Sequence, residues 1–316
     1  MIIRKFEERD LEQVKAICFS AFSLTAFHND PVFTAEQAGA LIWELYARPA
    51  VTNSRNYCLV CEDNSEVQGF IVYGSYGELA KLPGRRTASI VLLAVKKEQQ
   101  NSGKKIGHTL VYNCLSLFRK NDVKLVSVGT DLNNLAAQKI YSSTEFYPAL
   151  YWSTWRFHSG PSVFPETTTI QAIFGVPEEV TKKNGARLVS FLEDPFFSDA
   201  EKQKIREWYL RPKESSDMMP LEVMSSGKSA GFVLLEKEKT VSDLTGRQVF
   251  RIDGVYGPDP SAERTLVEGA LKHCSTLAKE FTVEMFLRSD DWRGAKTLGG
   301  LGFSLVHNSV TLHCRL

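Results

Sequence analysis

The chain has 316 residues, with 38 Lys and Arg against 37 Asp and Glu, and its hydrophobic content is 43%. A net charge of +1 gives no electrostatic case for a nucleic acid or another polyanion as partner, and no block of like charge forms a tail. The longest apolar runs, such as Ile90 to Val95 and Phe232 to Leu235, are strand-sized, and the charged start Met1-Ile-Ile-Arg-Lys-Phe-Glu-Glu-Arg-Asp lacks the apolar run of a signal peptide, so the expectation is a cytoplasmic protein without a membrane partner.

The length is natural for two domains. Ile2 to Phe6 reads as a first strand. Asp10 with Gln13 three residues on is a capping box for a helix carrying Leu11, Val14, Ile17, Cys18 and Ala21 on one face. Thr34 and Gln37 repeat that signal before a helix over 38–47, with Pro49 just beyond it. Tyr57 to Glu62 and Val67 to Gly74 flank the turn-type cluster Asp63-Asn-Ser-Glu66, which predicts a hairpin. Cys58 and Cys61 lie three apart on its first strand and so face opposite sides. With no second Cys/His pair at zinc spacing, they read as half-buried thiols, and no metal site is expected.

Ile90 to Phe146 is the most informative stretch. A buried strand, Ile90 to Val95, runs into the Gly/Lys turn Ser102-Gly103-Lys104-Lys105-Ile106-Gly107, which opens an amphipathic helix. That order is a phosphate cradle, because free backbone N–H groups and the positive helix end point at one ligand. A strand over 124–128 follows, then Asn134-Leu-Ala-Ala137-Gln-Lys-Ile140-Tyr141 and Glu145-Phe146. Ala149 to Phe157 reads as a last strand.

His158 to Glu166 is a Pro/Gly/Ser-rich break, and the order then repeats. Ser198 with Glu201 caps a helix through Leu210. Leu221 to Met224 and Ala230 to Glu236 form a hairpin. A strand over 249–255, a helix over 261–277, a strand over 281–287, a short helix over 291–298 and a strand over 306–314 close the chain. Gly69-Phe70-Ile71-Val72 matches Gly231-Phe232-Val233-Leu234. Asn134 precedes Phe146 by the same offset as Asp291 precedes Phe303. One pattern used twice argues for a tandem duplication. The expected division is a domain over 1–157, a linker over 158–170 and a domain over 171–316.

The first half resembles the GNAT superfamily of acyl-CoA-dependent N-acyltransferases. The run Asn134 to Phe146 is similar to its motif Asn-x-x-Ala-x-x-Leu/Ile-Tyr-x-x-x-Gly-Phe, with Glu145 in the Gly place. The loop is similar to Arg/Gln-x-x-Gly-x-Gly/Ala, with Ser102 in the Arg/Gln place, Lys105 in the first Gly place and Gly107 in the second. A second register starting at Gln100 puts the helix's apolar face out of phase. The resemblance implies an α/β fold of two tandem domains, each with a mixed, mostly antiparallel central sheet, flanking helices and a splayed parallel strand pair. It implies acetyl-CoA as co-substrate, with its arm along the backbone of Leu93, Ala94 and Val95. The pyrophosphate would sit on Gly103, Lys104, Lys105, Ile106, Gly107 and His108 beside Ser102. Asn134, next to Ala137, would bond the arm, and Tyr141 would protonate the leaving thiolate. A backbone N–H at a strand bulge would polarise the acyl carbonyl.

Without the joint spacing, Tyr141 reads as a core aromatic, Asn134 as a helix cap and the Gly/Lys turn as only a turn. Glu78, after the Gly74-Ser-Tyr-Gly turn, is the first candidate for the general base, and Asp131 the second. Phe22, Phe27, His28, Phe33, Trp43 and Tyr46 crowd the expected acceptor region, part as core and part as lining. In the second half Pro258 and Pro260 remove amide donors, Asp259 and Glu263 oppose a phosphate, Asp291 replaces the Asn, and Leu298-Gly299 replaces Ile-Tyr. That half reads as a degenerate copy without cofactor. The expected activity is N-acetyl transfer to a small-molecule amine or a peptide by a monomer or homodimer. The alternative is a tandem binding or regulatory protein that has lost the chemistry.

Overall fold

The computed structural model describes residues 1–22, 34–52, 56–75, 87–100, 102–159, 168–172, 198–200, 217–257 and 262–316. Contacts group them into two units, Met1–Tyr151 with His307–Leu316, and Trp152–Val306.

The first unit begins with β1 (Ile2–Lys5) and the helices α1 (Leu11–Phe22), α2 (Ala35–Ile42) and α3 (Arg48–Thr52). The hairpin β2 (Asn56–Asp63) and β3 (Glu66–Ser75) follows. Then come β4 (Thr87–Val95), α4 (Ile106–Lys120), β5 (Leu125–Asp131) and α5 (Leu135–Ser142). The sheet order is β1-β2-β3-β4-β5-β12, where β12 (Ser304–Arg315) is the last strand of the chain. Its neighbours are antiparallel, apart from the parallel pair β4 and β5.

The β2–β3 turn places Asn64 and Ser65 at φ 52° and 63°, the backbone of a tight hairpin turn. Each face of the sheet carries a core. Ile106, Leu110, Cys114 and Phe118 of α4 pack on one face, and Val14, Ile17, Trp43 and Ala47 on the other. Cys61 belongs to the first core and Cys58 to the second, the opposite facing that a strand period of two requires. Both are fully buried, not half-buried as the sequence suggested.

Two local expectations change. Asp10 does not cap α1. It closes a short turn from the inside, its side chain accepting from the Glu7 amide at 2.8 Å and from Arg4 at 2.6 Å. Pro49 does not end its helix either. The segment Trp43–Ala47 widens by one residue per turn, with the Arg48 amide donating to Trp43 O, and α3 continues through the proline. A widened turn leaves room for the ring and for a missing N–H.

The second unit contains β6 (Tyr147–His158) from residue 152 on, β7 (Thr168–Ala172), β8 (Met218–Ser225), β9 (Lys228–Lys237) and α6 (Lys239–Thr245). It continues with β10 (Gln248–Tyr256), α7 (Ala262–Leu277), β11 (Phe281–Arg288) and α8 (Trp292–Gly300). The strand β7 straddles the end of the stretch read as a linker, and the short helix α6 carries no clear apolar period in sequence. Most of the helix expected over 198–210 lies outside the described residues. The order is β7-β8-β9-β10-β11-β6, with β10 and β11 parallel. Its core gathers Val233, Phe250, Leu266, Ala270, Val283 and Phe303.

Strand by strand the two orders correspond, with one exchange. Residues 309–315 of β12 pair with β5, and residues 152–158 of β6 pair with β11. The last strand therefore groups with the first unit, where a sequence boundary had put it with the second half. Strand pairing is set by partners far apart in the chain, and no local pattern names the partner.

Leu312 is 5% exposed in the core that also holds α4. Leu312→Ala should cost about 2–4 kcal/mol. Amide exchange should accelerate in β5 and α4 while β10 and α7 keep their protection. Loss of protection in the second unit instead would refute the strand assignment.

Candidate active site

The parallel pair β4 and β5 shares four registered positions, from Thr87 with Leu125 to Ile90 with Val128. Both strands continue, to Val95 and Asp131, without further pairing to each other. On the β3 side Tyr73 faces Ile90 and Val72 faces Leu92, so Val91 is an extra residue. It forms a β-bulge, which bends a strand and re-aims its groups. Val91 is 36% exposed in an otherwise covered strand. Past the bulge, Leu92 to Val95 keep β3 on one side and open on the other. Backbone amides left open in that way need a partner. The Val95 carbonyl accepts from Gln100 Nε2 at 3.0 Å. Leu93 and Val95 pack toward α4, and Ala94 is buried on the opposite face.

The loop from β4 to α4 is tied internally. Ser102 Oγ donates to Gln99 O at 2.8 Å, and Gly103 turns at φ 80°. Lys105 stands at the head of α4 with φ 52° and ψ 33° and supplies no side-chain cap. A lysine has no acceptor to offer the first helical amides. The start of α4, Ile106 to His108, therefore presents N–H groups and the positive helix end without a side-chain oxygen from its cap. Lys104 Nζ lies 3.1 Å from Asp63 Oδ2, and that hydrogen bond and charge hold the Asp63 carboxyl below its usual range. His108 is half-buried in the first turn.

Gly107 is buried. A Cβ there would lie 2.8 Å from Ile140 Cδ1 and 3.6 Å from Val95 Cγ2. Its missing side chain lets the end of β4, the start of α4 and α5 meet. On α5, Asn134 Oδ1 caps the helix by accepting from the Ala137 amide at 3.1 Å. The Asn134 Nδ2 group has no partner among the described residues. Two turns on from Asn134, Tyr141 is 3% exposed, its ring 5.5 Å from that of Phe146. Burial raises the Tyr141 pKa above the ordinary tyrosine value, so the phenol stays protonated. Glu145 takes the Gly place with φ 69°, a glycine-like backbone on a charged residue.

Other sequence candidates fall elsewhere. Glu78 lies outside the described residues, as do Phe27, His28, Phe33 and the side chain of Phe22. Trp43 is buried core and Tyr46 is exposed. Asp131, at the open end of β5, meets a residue that the sequence reading missed. His307 Nδ1 is 3.1 Å from Asp131 Oδ2. His307 comes from the exchanged strand, and only knowledge of that exchange could have brought the two together.

The second unit repeats this frame. Asp291 Oδ1 accepts from the Gly294 amide at 3.0 Å, as Asn134 does from Ala137. The Phe303 amide donates to Leu298 O, as that of Phe146 does to Tyr141 O. Leu298 thus holds the Tyr141 place, and Thr297-Leu298 replaces Ile-Tyr, one residue before the pair read from the sequence. Glu263 puts a buried carboxyl in the first turn of α7, the counterpart of α4.

Residues 22–146 match the family model described as the Acetyltransferase (GNAT) family. No curated protein sequence matches the chain. The fold is similar to that of a tandem GNAT protein from the clavulanic acid biosynthesis pathway (without AcCoA), at 15% identity and TM-score 0.60, covering 99% of this chain and 98% of that one. It is also similar to a GCN5-related N-acetyltransferase from Sphaerobacter thermophilus, at 13% identity and TM-score 0.61, covering 99% and 95%. A putative acetyltransferase from Pyrococcus horikoshii is similar at 16% identity and TM-score 0.55, covering 100% and 89%.

A non-glycine residue in the left-handed region costs about 1 kcal/mol or more. Lys105→Gly and Glu145→Gly should each raise the melting temperature by about 2–4 °C for a unit of this size. A drop on calorimetry in both variants would show that these backbone positions are not strained.

Proposed function

Starting from a GNAT domain over residues 22–146 in a chain of tandem GNAT fold, we propose that the first unit transfers an acetyl group from acetyl-CoA to a primary amine. The observation that carries the reading is the splay of β4 from β5 past the Val91 bulge, with α4 and α5 meeting the end of β4 at Gly107. The residues fit the co-substrate. Open backbone at Leu93, Ala94 and Val95 suits the amides of the pantetheine arm. The uncapped amides of Ile106, Gly107 and His108, with Ser102, Gly103 and Lys105, suit a pyrophosphate. Lys104 would join them on leaving Asp63. Asn134 keeps Nδ2 for the arm while Oδ1 caps α5.

The reaction is direct attack in a ternary complex. The amine nitrogen bonds to the acyl carbon and the carbon–sulfur bond breaks. The amine loses one proton to a base, and the thiolate gains one from Tyr141. A backbone N–H at the bulge would stabilise charge on the carbonyl oxygen. Glu78 and the Asp131–His307 pair are the candidates for the base. A covalent acyl-enzyme is disfavoured because Cys114 is fully buried and burial raises its thiol pKa out of the reactive range. The second unit serves as a supporting copy without coenzyme A. The acceptor is a small amine or a peptide, and the chain works as a monomer or homodimer in the cytoplasm. No described helix is long and apolar enough to cross a membrane.

Tyr141→Phe should cut turnover by about 100-fold, as loss of a general acid does, with acetyl-CoA affinity nearly unchanged. Thiol release and calorimetry separate the two, and unchanged turnover removes Tyr141 from the mechanism. The phenol also predicts a pH profile. A group whose pKa is raised keeps its proton as pH climbs through the ordinary tyrosine value of 10.0. Wild-type kcat should therefore show no fall through that pH. A fall there that is absent in Tyr141→Phe would contradict the raised pKa.

A further inference from the structure

The loop from β4 to α4 is held at both ends by side chains of the protein itself. The Lys96 amide donates to Gln68 O at 2.8 Å, so the alternation of an antiparallel ladder turns the N–H and C=O of Val95 away from β3, toward the open side. Gln100 Nε2 donates to that Val95 carbonyl at 3.0 Å. At the far end of the loop, Lys104 Nζ lies 3.1 Å from Asp63 Oδ2. Lys96 Nζ lies 3.2 Å from Glu66 Oε2, so the β2–β3 turn carries one carboxylate for the foot of the loop and one for its head.

Two of these contacts have the chemistry of the co-substrate. An amide N–H on the Val95 carbonyl is what a secondary amide of a pantetheine arm supplies. A carboxylate on the Lys104 ammonium is what a phosphate oxygen supplies. Neither contact belongs to a core, and Gln100 and Lys104 are both exposed. The first amides of α4 receive no side-chain oxygen from Lys105. The loop thus meets two groups of the site with substitutes of its own and leaves the helix head open.

We propose that Gln100 and Asp63 form an autoinhibitory latch, standing in for the amide and the phosphate of coenzyme A, which displaces both on binding. The proposal rests on the reading of the first unit as an acyl-CoA site. Each exchange is nearly balanced, one hydrogen bond or ion pair for another, so the latch tunes affinity and does not block the site. Removing a stand-in leaves its partner, the Val95 carbonyl or the Lys104 ammonium, ready for the ligand, and the ligand then has nothing to displace there. Asp63 reaches the site only through Lys104, whereas Gln100 acts on the strand end directly.

The test is calorimetry of the full chain titrated with coenzyme A. Gln100→Ala should tighten binding about two- to fivefold, the net contribution of one exposed hydrogen bond. Asp63→Asn should tighten it about two- to threefold, as an exposed ion pair does. Lys104→Gln should weaken binding and cancel the gain from Asp63→Asn. Neither Gln100→Ala nor Asp63→Asn should raise the melting temperature of the protein without ligand. Tighter binding without added stability is a split that a merely structural contact would not give. Affinity that falls or stays level in either variant overturns the latch and leaves the reading of the first unit standing. No binding of coenzyme A by the wild type or by any variant overturns that reading as well.

Discussion

Parallel strands β4 and β5 share hydrogen bonds only as far as Ile90 and Val128, and the bulge at Val91 turns β4 away just there. A flat continuous sheet would satisfy every backbone group and leave nothing for a ligand. Splaying the pair costs those bonds and creates an edge inside the sheet, with a core on either face to hold it open. The head of α4 and the last turn of α5 meet at the end of β4 because Gly107 lets Ile140 and Val95 close on it. The backbone thus supplies most of the site, and few side chains carry chemistry.

That division explains how the loop tolerates its departures. Lys105 and Glu145 both occupy places where the resembled motifs have glycine, and both keep a positive φ. The side chain changed and the conformation did not. In the second unit, the counterpart of Glu145 is still a glycine, Gly302 at φ 88°. Each copy has therefore lost different parts of the shared pattern. The first keeps Tyr141 and an uncapped α4. The second has Leu298 for the tyrosine and Glu263 at the helix head, yet keeps the bulge and the open strand ends.

Much of this was legible in the sequence because it is local. Strand, loop and helix order from Ile90 to Phe146 follows from period and caps, and the Thr34 capping box forms as read, Thr34 accepting from Gln37 N at 3.2 Å. The equal offsets from Asn134 to Phe146 and from Asp291 to Phe303 reappear as matching caps and closing hydrogen bonds. What depended on distant partners was not legible. The exchange of β12, and with it the pairing of His307 with Asp131, has no signature within either segment. Neither does the widened turn at Trp43 to Ala47, where packing overrides the helix-breaking habit of Pro49. The slip at Leu298 has a plain cause as well. The Gly-Gly run after it blurs the register, and the Phe303 hydrogen bond fixes it.

The central claim is that the splay in the first unit is a cofactor cleft. Amide exchange with and without saturating acetyl-CoA tests it residue by residue. The account predicts slowed exchange at Leu92 to Val95 and at Ile106 to His108, with Gly254 to Tyr256 unchanged. Protection absent from the first set, or confined to the second, would contradict it.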